Sequence, residues 1–105
     1  MAWIYLALAA VFEVAFAVSM KMSDGFTRTG PTVVTIISVI AGLWLLALAM
    51  RDLPVSVAYP IWTALGAIGT IVLGWLWLGE ALTPLKLVSV ALIVAGVAGL
   101  KVSAG

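Results

Sequence analysis

The sequence predicts an all-α integral membrane protein of four transmembrane helices, assembled as an antiparallel dimer of dual topology, and three observations predict it. Of its 105 residues 66% are hydrophobic and 9% charged, far from the balance of a soluble domain. The few charges divide the chain into four apolar runs, each near the roughly 20 residues that a helix needs to cross about 30 Å of hydrocarbon. Finally, lysine and arginine are spread almost evenly over the two sides of the membrane that four spans would define. The same composition excludes several functions. Without cysteine or histidine there is no thiolate, no disulfide and no imidazole ligand, so no metal site or other cofactor is expected. A net charge of +1 makes no patch for nucleic acid, and no glycine-rich phosphate loop ending in Gly-Lys-Ser/Thr is present. Enzymatic chemistry, ATP hydrolysis included, is not expected.

The chain reads as a single transmembrane domain over 1–105, with helices at about 3–21, 31–50, 54–79 and 84–102. The first run is broken only by Glu13. Ala15-Phe16-Ala17 resembles a signal-peptide cleavage pattern, but no basic residue precedes the run and Glu13 interrupts it, so the segment is expected to be mature protein. The polar stretch "MSDGFTRTG" makes the first turn, and Pro31 suits the start of the second helix. Arg51 and Asp52 end that run. The third, from Leu53 to Gly79, would be about 40 Å long as a straight helix; it must tilt, bend or protrude. Pro60, Gly66 and Gly69 are its candidate bending points, and the two glycines are equally candidates for close packing. Thr83-Pro84 reads as an N-cap followed by proline in the first turn of the fourth helix. Trp3, Tyr5, Trp75 and Trp77 fall near span ends, where amphipathic rings settle.

With four spans, Arg51 and Lys101 share the side of the termini, while Lys21, Arg28 and Lys86 lie on the other. Orientation follows such asymmetry. Two against three is nearly a tie, so insertion in both orientations is expected, and opposed copies would generate the inverted symmetry common among transporters. Helix four supplies a contact for the pair: Ala91, Ala95 and Gly99 recur every four residues with Gly96 beside them, and small residues at this spacing allow close helix approach in lipid.

Glu13 lies about 15 Å along its helix, near mid-membrane. Ionisable groups at that depth are costly and ordinarily face a cavity or partner and carry function. Leu6, Ala9, Ala10, Phe16, Ala17 and Met20 share its helical face, and the three alanines leave space beside it. Desolvation favours the neutral acid and a neighbouring cation favours the carboxylate. Proton and cation therefore compete for one group, which is a means of exchanging them. On helix three, Tyr59, Trp62 and Gly66 share a face and offer a hydroxyl, an indole and a gap. They are candidate neighbours of Glu13, or simply core residues.

These residues together resemble the small multidrug resistance transporters: "FEV" with Glu13, "KMSDGFTR" after the first span, "LPVSVAYPIWTALGAIGT" in the third and "GEALTPLKL" before the fourth. Ala17, "IWTALGAIG" and the terminal "GLK" are similar to the guanidinium-exporter branch. The resemblance implies an antiparallel dimer in the bacterial inner membrane that exchanges protons for small organic cations, guanidinium or a substituted guanidinium such as guanylurea. It implies Glu13 as the shared proton and cation site, Tyr59 and Trp62 as its neighbours, and helix four as the dimer contact. Phe16 stands where this branch usually has tryptophan and Gly42 where it has serine, both normally part of a hydrogen-bonded network around the glutamate. Ser38, one turn from Gly42, is the candidate substitute, and Ala10 and Ala17 complete the expected cavity. Pro60 replaces a usual alanine. Family members also pair with a second, related subunit, which leaves homodimer and heteromeric pair both open. The competing readings are a quaternary-ammonium exporter of the same family and, from another class, a non-transporting assembly or proteolipid-type subunit.

Overall fold

The structure is a computed structural model that describes residues 1–104. Four helices follow one another: α1 (Ala2–Met22), α2 (Thr29–Ala49), α3 (Val55–Trp77) and α4 (Pro84–Ala104). Each is long and apolar enough to cross a membrane, and continuous helices satisfy the backbone groups that lipid cannot. The Leu53–Gly79 run contains a helix of 23 residues, or about 35 Å. Its excess length is absorbed at both ends, in the turn before Val55 and in the turn after Trp77. Similarly, α2 starts at Thr29, two residues ahead of Pro31. The missing proline N–H then falls in the first turn, where no intrahelical acceptor exists for it.

The three turns are built by identifiable local bonds. In the first, Asp24, Gly25 and Phe26 all have positive φ, a conformation that costs a residue with a Cβ roughly 1–2 kcal/mol. Ser23, fully buried, holds it: its Oγ donates to the Met20 carbonyl at 2.7 Å and accepts from the Phe26 N–H at 3.1 Å, while the Thr27 N–H donates to the Ser23 carbonyl at 2.9 Å. In the second turn the Leu53 N–H donates back to the Ala49 carbonyl at 3.1 Å, and Pro54, extended at ψ 151°, leads into α3. In the third, Gly79 takes φ +69°. This lets the N–H groups of Leu78 and Glu80 both reach the Gly74 carbonyl, at 3.1 and 3.0 Å, a close relative of the glycine helix stop. Thr83 Oγ1 then accepts the Lys86 N–H at 3.2 Å, which is the N-cap that Thr83-Pro84 predicts.

α1 is the central helix, packed against α2 and α3, and α4 lies on the outer side of α3. The result is a slab of 43 × 34 × 16 Å. Its core gathers Leu6, Ala9, Leu46, Ala58, Ile61 and Trp62 at the end near the second turn. At that end alanines on α1 let α2 and α3 approach closely. Towards the first and third turns the helices part, leaving an open apolar groove of about 790 Å³ floored by Val11, Ala15, Val18 and Met22. At 100° per residue these four lie on the side of α1 opposite Glu13. α4 touches the core with Val97 and Leu100, and Lys101 places its Nζ 5.5 Å from the centre of the Trp3 ring. Lys86, Val90 and Ile93 on the same helix are half-buried, and the rest of its described surface is exposed.

Candidate functional site

Glu13 sits midway along α1, with α2 and α3 both packed closely beside it. Two glycines produce that approach. On α2, a Cβ at Gly42 would lie 3.2 Å from the Phe12 Cβ and 3.6 Å from the Ala9 carbonyl oxygen, so α2 rests on the backbone of the turn that carries the glutamate. On α3, Gly66 lies directly against the Glu13 side chain, and a Cβ there would collide with the carboxyl carbon and both of its oxygens. One turn further on, Gly69 receives Val14 in the same manner. Gly66 and Gly69 are thus close-packing positions, the local demand being for the absence of a side chain.

The polar partners around the carboxylate are few. Glu13 Oε2 is buried and has no hydrogen-bond partner, a state that usually costs 1–3 kcal/mol or more and that native interiors rarely retain without a reason. Trp62, only 7% exposed, directs its indole N–H to the Ala9 carbonyl at 3.1 Å. In helical register that same carbonyl accepts the Glu13 amide, so Trp62 braces the turn beneath the carboxylate and does not donate to it. Tyr59 packs edge-on against Trp62, with ring centres 5.4 Å apart and planes at 60°. Half exposed, it likewise leaves Oε2 without a donor. Its ring extends the aromatic surface outward from the site.

The remaining candidates are distributed as follows. Ala10 is buried and Phe16 and Ala17 half-buried on α1, with Phe16 against the core. Ser38 and Gly42 are buried one turn apart on α2. Pro60 is within α3, on an exposed surface. Ala91, Ala95, Gly96 and Gly99 on α4 are all exposed, and a Cβ added to either glycine would meet nothing within 4 Å. Glu13, Gly42, Trp62 and Gly66 are brought together; the α4 stripe is separate from them. Among the described residues no cluster of three or more histidine, cysteine or acidic residues that could hold a metal is present.

Two features of the site were not among the sequence expectations. One is the Ala9 carbonyl as the acceptor for Trp62, for which the available signal was its position four residues before Glu13. The other is a small cleft beyond the next turn, lined by Ala17, Lys21, Thr70 and Glu80. Its signal was the continuation of the Glu13 stripe to Ala17 and Lys21 at four-residue steps.

Comparison with known proteins places the chain among relatives. Residues 1–93 match the family described as Small Multidrug Resistance protein. The chain is 47% identical over 103 residues to a guanidinium exporter of Citrobacter freundii, with 98% of each chain covered. Guanidinium exporters of two Escherichia coli strains, O6:H1 and K12, are 48% and 47% identical over the same length and share of each chain. Four spans together with these relatives make it a multi-pass protein of the inner membrane. The chain belongs to the small multidrug resistance family.

Proposed function

We propose that this protein exports small organic cations, guanidinium-like ones first, in exchange for protons, by alternating access of an antiparallel dimer. The observation that carries the reading is the Glu13 carboxyl group, held midway along α1 against Gly66 with one oxygen buried and unpartnered. Such a group can bind a proton or pair with a cation, but not both at once, so it holds the two in turn. Release of one then accompanies uptake of the other. Coupling requires only this exclusion and an alternation of which side the site faces.

The half-burial of Glu13 supports the dimer. In one copy Glu13 is half-buried, with only α2 and α3 against it, so a cation beside it is not surrounded; a second copy closing over Glu13 would do so. The two Glu13 groups would then titrate as a coupled pair. The near tie of Arg51 and Lys101 against Lys21, Arg28 and Lys86 supports opposed orientations, and the open small-residue stripe of α4 supplies a contact surface.

The bare Oε2 also bears on which cation is preferred. Neither Trp62 nor Tyr59 donates to it, so this chain leaves it free to accept hydrogen bonds from the guest. A guanidinium ion brings planar N–H donors that match a carboxylate; a quaternary ammonium ion brings none. Transport of guanidinium and of tetraalkylammonium ions by proteoliposomes under a pH gradient tests the reading. Guanidinium uptake coupled to proton movement is expected, with tetraalkylammonium slower. Faster tetraalkylammonium transport would assign the protein to the quaternary-ammonium exporters, and no proton-coupled transport of either would remove the proposal.

A further inference from the structure

Beyond Glu13 a second acid occupies a defined place. Glu80, in the turn after α3, lines a cleft of about 130 Å³ together with Ala17, Val18, Lys21, Thr70 and Leu78. Its carboxylate is held there by the turn. Gly79 at φ +69° folds the chain back, the Glu80 N–H donates to the Gly74 carbonyl at 3.0 Å, and the carboxylate rests on Gly74, where any Cβ would strike Oε1. The far end of the turn is tied by Lys86, whose Nζ donates to the Ala81 carbonyl at 2.6 Å.

The cleft lies in register with the binding site. On α1, Glu13, Ala17 and Lys21 follow one another at four-residue steps, and on α3 so do Gly66 and Thr70; residues so spaced are stacked on one helix face. Since Gly66 faces the Glu13 carboxylate, the next turn outward sets Thr70 opposite Ala17, and both line the cleft. Its inner end is therefore one helical turn, about 5.4 Å, from Glu13. Its outer end is at the membrane surface between Lys21 and Glu80. The volume has room for about four waters at roughly 30 Å³ each. By contrast, the large groove is apolar and lies on the other side of α1, where a proton has no polar path.

We propose that the Lys21–Glu80 cleft is the proton access path to Glu13. The Glu80 carboxylate at the mouth relays a proton between bulk water and the water of the cleft, which carries it inward past Thr70 and Ala17 to the Glu13 carboxylate; the reverse sequence releases it. Glu80 also offsets the positive charge of Lys21, which alone would repel protons from the mouth. In an opposed pair the two clefts open on opposite sides of the membrane, and alternating access connects them to the Glu13 pair one at a time. This inference rests on the reading of Glu13 as the proton site.

The test compares two modes of transport in proteoliposomes: proton-driven guanidinium uptake, and exchange of labelled for unlabelled guanidinium at equal pH, which requires no proton. Glu80→Gln, which keeps the size and the backbone bonds of the turn, is expected to slow the proton-driven mode by about tenfold, as for loss of a positioned proton-transfer group, and to leave the exchange mode unchanged. Glu80→Asp should recover most of the lost rate. Thr70→Leu, which fills the cleft, should reproduce the selective loss. Equal slowing of both modes, or slowing of neither, overturns the access path. Absence of both modes in the unaltered protein overturns the transport reading itself.

Discussion

α1 and α4 are nearly equal in hydropathy, yet they occupy opposite situations. α1 has neighbours on two sides and buries Leu6, Ala9, Ala10, Val18 and Ser19. α4, equally rich in small residues, buries none of its described residues. In water the difference would signal an error of folding. In lipid, exposure of apolar surface carries little cost and helix association depends on close packing and polar contacts. Hydropathy therefore decides that both helices cross the membrane and is silent on which is central. Packing follows instead where glycines meet a neighbour: Gly42 on α2 and Gly66 on α3 admit α1, while Gly96 and Gly99 of α4 itself face open space.

The largest effect expected from this contrast is at Gly66. Gly66→Val should displace the Glu13 carboxylate, destabilise the bundle by roughly 1–3 kcal/mol as overpacking typically does, and lower transport at least tenfold, or about 1.4 kcal/mol in barrier terms. Reversible unfolding in mixed micelles and guanidinium uptake would read the two effects. A valine tolerated in both assays would show that α3 does not meet Glu13. Next comes Gly99→Leu on α4, which should leave the α1–α3 core intact but raise the fraction of single copies in a Förster-transfer dimerisation assay in liposomes. An unchanged dimer fraction would move the contact away from α4. A smaller effect is expected from Trp62→Phe. It removes one buried hydrogen bond, of about 1 kcal/mol net, while the Ala9 carbonyl keeps its helical partner, and unfolding should register a loss of that order. Smallest of all should be Lys101→Gln, which removes only the contact with the Trp3 ring at the membrane surface; a shift larger than that of Trp62→Phe would make the α4 tether, not the buried bond, the stronger link.

Much of this architecture was legible in the residues. Uncharged runs of helical length, bounded by Arg51, Asp52 and Glu80, mark four helices because no other open structure spans lipid. Thr83 signals its cap because a hydroxyl before proline can accept the N–H three residues on, and it does so. What could not be read was pairing between helices. Spacing places Tyr59, Trp62 and Gly66 on one face, but only the crossing of α3 over α1 decides that the indole meets the Ala9 carbonyl and that Gly66 takes the carboxylate. Even the choice between bending and packing for Gly66 and Gly69 depends on what lies opposite. The third run reads as 27 residues because hydropathy does not separate a helix from its apolar turns. Gly79 is legible as a stop only after the Gly74 carbonyl is known to accept both N–H groups.

The most direct measurement is of protons released when cation binds. In lightly buffered detergent solution, adding guanidinium to the protonated protein should acidify the medium in proportion to the cation bound, and the Glu13→Gln variant, still folded and dimeric, should release none. Guanidinium binding without acidification, or equal acidification from that variant, would contradict the claim that a single half-buried carboxyl group holds the two in turn.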